Sequence, residues 1–157
     1  MANCEIVLQA VVDMSRRLGE PERDLVILGE GNTSGLCDDG TFWVKASGTE
    51  LRTIDANGFV RVALEPVVAL ADQRGLSDDD VKEALNAARV DPAATRHPSV
   101  ETVLHALTLS EAGALYVGHT HPVAVNALAC SQAMLGDPPG RLFPDEIVVC
   151  GPAPLLV

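Results

Sequence analysis

Apolar residues recur at helical spacing in some segments of the chain. In others they form short continuous runs or alternate with polar residues, as is typical of strands. Residues 3–18 carry Val7, Val11, Met14 and Leu18 on one helical stripe, with Asn3 placed to cap the helix. Further helices are predicted at residues 65–74, at 77–89 behind the N-cap Ser77, after the N-cap Ser99, and at 122–131. Strands are predicted at residues 24–28, 32–37, 41–46, 59–64, 112–117 and 146–150.

Asp38-Asp39-Gly40 is a hairpin signal between two of these strands. The hairpin brings Gly31 and Asn32 near Ser47 and Gly48, at the end away from its turn. Glycine lets backbone N–H groups approach a ligand, and the Asn and Ser side chains add donors. We interpret this end as a cradle for a phosphate or carboxylate; an ordinary pair of glycine-rich loops is the alternative.

His119 and His121 stand where a buried strand is predicted to end and a helix to begin at Pro122. In extended backbone, residues i and i+2 point to the same side, so the two imidazoles can converge on one ion. Imidazole suits zinc and other borderline metals, although catalytic zinc usually takes three protein ligands. The alternative is a hydrogen-bonded histidine pair at a strand end.

Glu101 follows the predicted N-cap Ser99 and is expected in the first helical turn. A carboxylate there can simply complement the positive end of the helix dipole. His105 lies one turn later and can pair with Glu101. The sequence pattern alone leaves these structural roles open.

Composition narrows the class of protein. The chain has 157 residues, of which 47% are hydrophobic, and we expect one domain over residues 1–157. A net charge of −11 argues against a nucleic-acid partner. No apolar run is long enough to cross a bilayer. The cysteines, Cys4, Cys37, Cys130 and Cys150, are scattered without a C-x-x-C motif, and no secretory signal opens the chain, so reduced thiols in a cytoplasm are predicted.

Four motifs in one order carry a resemblance to the class II aldolase and adducin head-domain family, from about residue 5 to about residue 150. They are Gly31-Asn32-Thr33-Ser34, Lys45-Ala46-Ser47-Gly48, Pro98-Ser99-Val100-Glu101 with His105, and His119-Thr120-His121-Pro122. The resemblance implies a three-layer α/β/α fold around a largely antiparallel sheet. It also implies a homotetramer acting on a small sugar phosphate or sugar acid.

The same resemblance implies roles for individual residues. His119 and His121 match the zinc ligands and Glu101 the catalytic glutamate, while the phosphate-binding positions match Gly31, Asn32, Ser47, Gly48 and Ser99. Val100 replaces a serine of the family pattern. The family's third histidine ligand lies beyond residue 157, so we expect a chain truncated at its C-terminus. His105 matches a helix histidine that is not a ligand.

The activity implied is that of a metal-dependent aldolase, a lyase of carbohydrate metabolism that cleaves or forms a carbon–carbon bond through a zinc-stabilised enediolate. The alternatives are an epimerase, dehydratase or decarboxylase using the same site, or a non-catalytic assembly domain of the adducin kind.

Overall fold

The computed structural model describes residues 3–129 and shows a mixed α/β fold with a four-stranded antiparallel sheet. The helices and strands, in chain order, are α1 (Cys4–Leu18), β1 (Asn32–Leu36), β2 (Thr41–Lys45), β3 (Phe59–Ala63), α2 (Leu64–Val68), α3 (Asp78–Ala87), α4 (Thr102–Glu111), β4 (Tyr116–His119) and α5 (Val123–Ala129). Short 3₁₀ turns lie at Pro21–Arg23, Ala56–Gly58 and Ala69–Asp72.

The sheet has the order β3-β2-β1-β4 and separates two layers of helices. Because side chains alternate along a strand, Phe42 and Val44 face one layer and Trp43 faces the other. The first face packs on Val67, Leu85 and Leu109, which belong to α2, α3 and α4, and forms the larger apolar core. The second packs on α1 in a smaller cluster. This arrangement confirms the predicted α/β/α layering and the antiparallel sheet.

Local sequence signals fix several element boundaries as predicted. The side chain of Asn3 accepts a hydrogen bond from the Glu5 N–H and caps α1. Ser77 and Asp80 form a reciprocal capping box at the start of α3. The hairpin pairs β1 with β2, with Gly35 opposite Trp43. The predicted helix over residues 65–74 is shorter, since α2 ends at Val68 and a 3₁₀ turn follows.

The strand predicted at residues 24–28 is wrong. Asp24 and Leu28 both have φ of 52°, which extended backbone does not allow. The segment is a loop whose carbonyl groups accept hydrogen bonds from a distant part of the chain. Leu25 O accepts from the His121 N–H at 2.9 Å, and Asp24 O accepts from the Val123 N–H at 3.0 Å. The loop therefore anchors the segment that carries His121.

Two other boundaries differ from the sequence expectation. The strand predicted at residues 112–117 begins only at Tyr116, since Gly113 lies in the left-handed region at φ 63° and ends the preceding helix. Helix α4 begins at Thr102, so Glu101 is its N-cap residue and Ser99 lies outside the helix. The predicted strand at 146–150 lies outside the described residues.

Cys4 and Cys37 form a disulfide, with their Cα atoms 5.1 Å apart. Cys4 opens α1 and Cys37 follows β1, so the bond ties the first helix to the hairpin. The prediction of reduced thiols is therefore wrong for this pair. Cys130 and Cys150 lie outside the described residues. Among residues 3–129, no helix has the length and apolar character needed to span a membrane.

Candidate metal and carboxylate site

The two histidines of the H-x-H motif converge at the end of β4. His119 is the last residue of this strand and lies opposite Asn32 of β1. His121 lies just beyond the strand, where its N–H donates to Leu25 O. The imidazole centroids of His119 and His121 are 4.7 Å apart, with an angle of 40° between the rings. The structure thus brings the two rings together as the i, i+2 spacing predicts.

Glu101 reaches the same point from the start of α4. Its Oε1 lies 3.4 Å from Nδ1 of His119. Its Oε2 accepts a hydrogen bond from Asn32 Nδ2 at 2.9 Å and lies 3.5 Å from Ser99 Oγ. The Glu101 side chain makes no capping hydrogen bond to α4. The carboxylate is thus directed toward His119, which argues against a role limited to the helix dipole.

This cluster fits a divalent metal ion. One donor atom from each of Glu101, His119 and His121 lies within 4.8 Å of the others. Nδ1 of His119 and Nε2 of His121 are buried and have no hydrogen-bond partner among the described residues. Buried polar atoms without a partner cost free energy, and metal coordination would satisfy both. Two imidazole nitrogens and one carboxylate oxygen form a donor set that zinc accepts.

The other histidines of residues 3–129 have different partners. His97 Nδ1 lies 2.7 Å from Asn86 Oδ1. His105 is fully buried, and its Nδ1 lies 2.7 Å from Ser34 Oγ, so the sequence-based pairing with Glu101 is not formed. Burial lowers the pKa of His105 to about 4, while the charge of Glu101 opposes the shift and His119 adds to it. His105 is therefore a neutral side chain behind the cluster.

Two charged residues beside the cluster, Lys45 and Glu30, were not among the predicted site residues, although Lys45 stands in one of the four family motifs. Lys45 is only 5% exposed, and its Nζ donates to Gly29 O at 3.4 Å. Burial lowers the pKa of Lys45, and the carboxylates of Glu101 and Glu30 oppose that shift. Glu30 Oε2 lies 3.7 Å from His121 Nδ1. The sequence signal for Lys45 was a single lysine at the end of an otherwise apolar predicted strand.

The predicted anion cradle divides into two parts. Asn32 and Ser99 contact Glu101 directly, as described above. Ser47 and Gly48 are exposed after β2, and the Ser47 N–H donates to His97 O at 3.0 Å, which holds this loop beside the segment leading to Ser99. The backbone of Gly31 lies close to that of His119. Gly31 has a φ of 86°, and a Cβ atom at this position would lie 3.1 Å from His119 O.

Comparison with known proteins agrees with this architecture. The model of the Class II Aldolase and Adducin N-terminal domain matches residues 9–152. The N-terminal class II aldolase domain of a conserved protein from Thermoplasma acidophilum is 29% identical, with a TM-score of 0.71, over 96% of this chain and 78% of that one. L-fuculose-1-phosphate aldolase from Thermus thermophilus is 20% identical, with a TM-score of 0.51, over 78% of this chain and 50% of that one, a likeness of fold.

A protein of Bacillus subtilis named uncharacterized oxidoreductase YuxG is 30% identical over 133 residues, which are 80% of this chain and 18% of that protein. The chain thus spans half of the Thermus aldolase and less than a fifth of the Bacillus protein. The match of the family model to nearly the whole sequence, on the fold described above, shows that the chain belongs to the class II aldolase and adducin N-terminal domain family.

Proposed function

We propose that this chain carries a metal-dependent lyase site of the aldolase type, acting on a sugar phosphate or a related sugar acid. The observation that carries the proposal is the convergence of Glu101 with the buried, unpartnered nitrogens of His119 and His121. A structural histidine pair would use those nitrogens in hydrogen bonds within the fold. A divalent ion gives both of them a partner.

The residues that would hold the ion are His119 and His121, with Glu101 beside them. When bound, a divalent ion such as zinc supplies Lewis-acid stabilisation of negative charge that develops on the substrate's oxygens. The described side chains of His119 and Glu101 are 30% and 32% exposed, so a small molecule can reach the cluster.

Glu101 is the proposed proton carrier. Hydrogen bonds from Asn32 and Ser99 fix its Oε2, while Oε1 faces the histidines. A carboxylate held in this way needs little reorganisation before it takes a proton from the reacting carbon or returns it, as aldol condensation and cleavage require.

The proposed anion-binding positions are Gly31, Asn32, Ser47, Gly48 and Ser99. The Ser47 hydroxyl and the backbone of Gly48 lie in the exposed loop after β2, whereas the Ser47 N–H already donates to His97 O and the Asn32 side chain to Glu101. With a net charge of −11, the chain as a whole repels anions, so local groups must hold a phosphate or carboxylate. The buried ammonium group of Lys45 adds positive charge near these positions. A sugar phosphate or sugar acid is the substrate class that the family resemblance implies.

We also propose that the protein forms a homo-oligomer, as the family resemblance implies. Val100, two residues before α4, and Leu104, in its first turn, are 56% and 55% exposed. Exposed apolar side chains of this kind are compatible with a surface that another chain covers.

The test is aldehyde release by the metal-loaded protein from a panel of ketose phosphates and sugar acids, with wild type, Glu101→Gln and Glu22→Gln compared. Glu22 is exposed in the turn Pro21–Arg23 and controls for the loss of one charge. We expect Glu101→Gln to lose about 10²- to 10⁴-fold in turnover and to retain its metal, since proton transfer contributes a factor of that order. Full activity of Glu101→Gln, or a metal-loaded wild type that breaks no carbon–carbon bond, would overturn the proposal.

A further inference from the structure

The two ring nitrogens of His121 have different surroundings. Nδ1 faces the loop before β1, where Glu30 Oε2 lies at 3.7 Å. Nε2 is buried and has no partner among residues 3–129. A neutral imidazole carries its proton on only one of these nitrogens, so the tautomer decides which one has a free lone pair.

The loop that carries Glu30 also fixes the backbone of His121. The Glu30 N–H donates to Ile27 O, and the His121 N–H donates to Leu25 O, both at 2.9 Å. Below the loop, Lys45 donates to Gly29 O, and its charge faces Glu30. One short segment therefore sets the position of both the imidazole and the carboxylate.

We propose that Glu30 is a positioning residue for His121: its carboxylate, 3.7 Å from Nδ1, is placed to accept the Nδ1–H and so to leave the lone pair of Nε2 free for a metal ion. This inference rests on the proposed metal site. Metal-binding histidines commonly donate their second ring N–H to a carboxylate, which fixes the tautomer and the ring orientation. Because the Glu30 side chain is 57% exposed, solvent screens its charge. Its contribution to metal binding is therefore mainly to fix the orientation of the His121 ring.

The first test needs no metal. In the metal-free protein near pH 8, long-range ¹H–¹⁵N NMR reports which nitrogen of the His121 ring carries a proton. We expect Nδ1–H in wild type and in Glu22→Ala, which removes the same charge elsewhere, and a shift toward Nε2–H in Glu30→Ala. A wild-type His121 protonated on Nε2, or the same tautomer in wild type and Glu30→Ala, would overturn the inference.

The second test is zinc affinity, measured by competition with a chromophoric chelator. Loss of such an outer carboxylate typically weakens metal binding about 10- to 100-fold, which we expect for Glu30→Ala and not for Glu22→Ala. Glu30→Gln keeps a carbonyl oxygen that accepts the N–H, so it should bind more tightly than Glu30→Ala. Equal losses in Glu30→Gln and Glu30→Ala would show an effect of charge alone and reject positioning.

The two tests separate this inference from the proposed function. A wild type that binds no zinc contradicts the metal site itself, whatever the tautomer. A wild type that binds zinc only as tightly as Glu30→Ala leaves the metal site intact and rejects the role of Glu30. Thermal unfolding of each variant checks that the loop substitutions leave the fold unchanged.

Discussion

The imidazole of His105 is fully buried between α4 and β1, where it contacts Ser34 Oγ. Its surroundings disfavour the charged form, because burial removes hydration that the nearby carboxylate of Glu101 only partly replaces. His105 therefore stays neutral under conditions in which the histidines of an unfolded chain begin to take up protons.

The burial of His105 predicts acid sensitivity. Its pKa falls from 6.5 in the unfolded chain to about 4 in the folded protein, so between these values the unfolded state binds more protons. The contribution of neutral, buried His105 to the free energy of unfolding is complete above pH 6.5. It is lost as the pH falls toward 4, because the unfolded chain takes up a proton that the folded protein does not. At 1.36 kcal/mol per pH unit, the loss is about 3 kcal/mol.

Urea unfolding of wild type and His105→Gln from pH 4 to pH 7 measures this dependence. Other titrating groups are common to both proteins and cancel in the difference. We expect the advantage of wild type to shrink, or to reverse, as the pH falls from 6.5 to 4. Parallel stability curves for the two proteins would contradict the assignment.

At the scale of elements, the packing of α1 on the sheet depends on Gly35 in β1. A Cβ atom at this position would lie 2.6 Å from Val7 Cγ1 and 2.8 Å from Val11 Cγ1. Helix and strand approach so closely only because Gly35 has no side chain.

Gly35→Ala should therefore destabilise the protein by about 1–3 kcal/mol, the usual cost of overpacking a tight core. Gly29→Ala is the matched control, because the nearest atom to its added methyl is Glu50 Cγ at 3.9 Å and its backbone needs no positive φ. Denaturant unfolding of both variants measures the difference. Equal effects of the two substitutions would contradict the close approach of α1.

Elements whose boundaries depend on nearby residues could be predicted from the sequence. The caps at Asn3 and Ser77 and the Asp-Gly turn act within a few residues of one another. The segment 24–28 could not be predicted, because its carbonyl groups bond to the distant backbone of His121 and Val123. Apolar composition alone does not distinguish such an anchoring loop from a strand.

The candidate site also combines features that the sequence predicts with long-range contacts that it does not. The i, i+2 spacing predicted that His119 and His121 would converge, although β4 ends at His119 and the loop at residues 24–28 holds the backbone of His121. Bringing Glu101 to them requires β4 to pair with β1 and α4 to pack over that pair, and only the family resemblance pointed to it. The approach of Glu30 to His121 depends on the loop conformation, which the sequence pattern did not reveal.

In the molecule as a whole, the cluster lies where the neighbouring strands β1 and β4, the start of α4 and the anchoring loop at residues 24–28 meet. Asn32 from β1, His119 from β4 and Glu101 from the start of α4 contact one another there. The net charge of −11 favours a cation over an anion at long range, which agrees with the proposed metal ion.

His119 and His121 are proposed to bind one divalent ion beside Glu101. Equilibrium dialysis of metal-stripped protein against zinc, followed by elemental analysis, measures this binding. His97→Ala is the control, since His97 is exposed and contacts Asn86 away from the cluster. We expect one zinc ion per chain for wild type and His97→Ala, and none for the double variant His119→Ala/His121→Ala. A double variant that still binds one zinc ion, or a wild type that binds none, would contradict the proposed site.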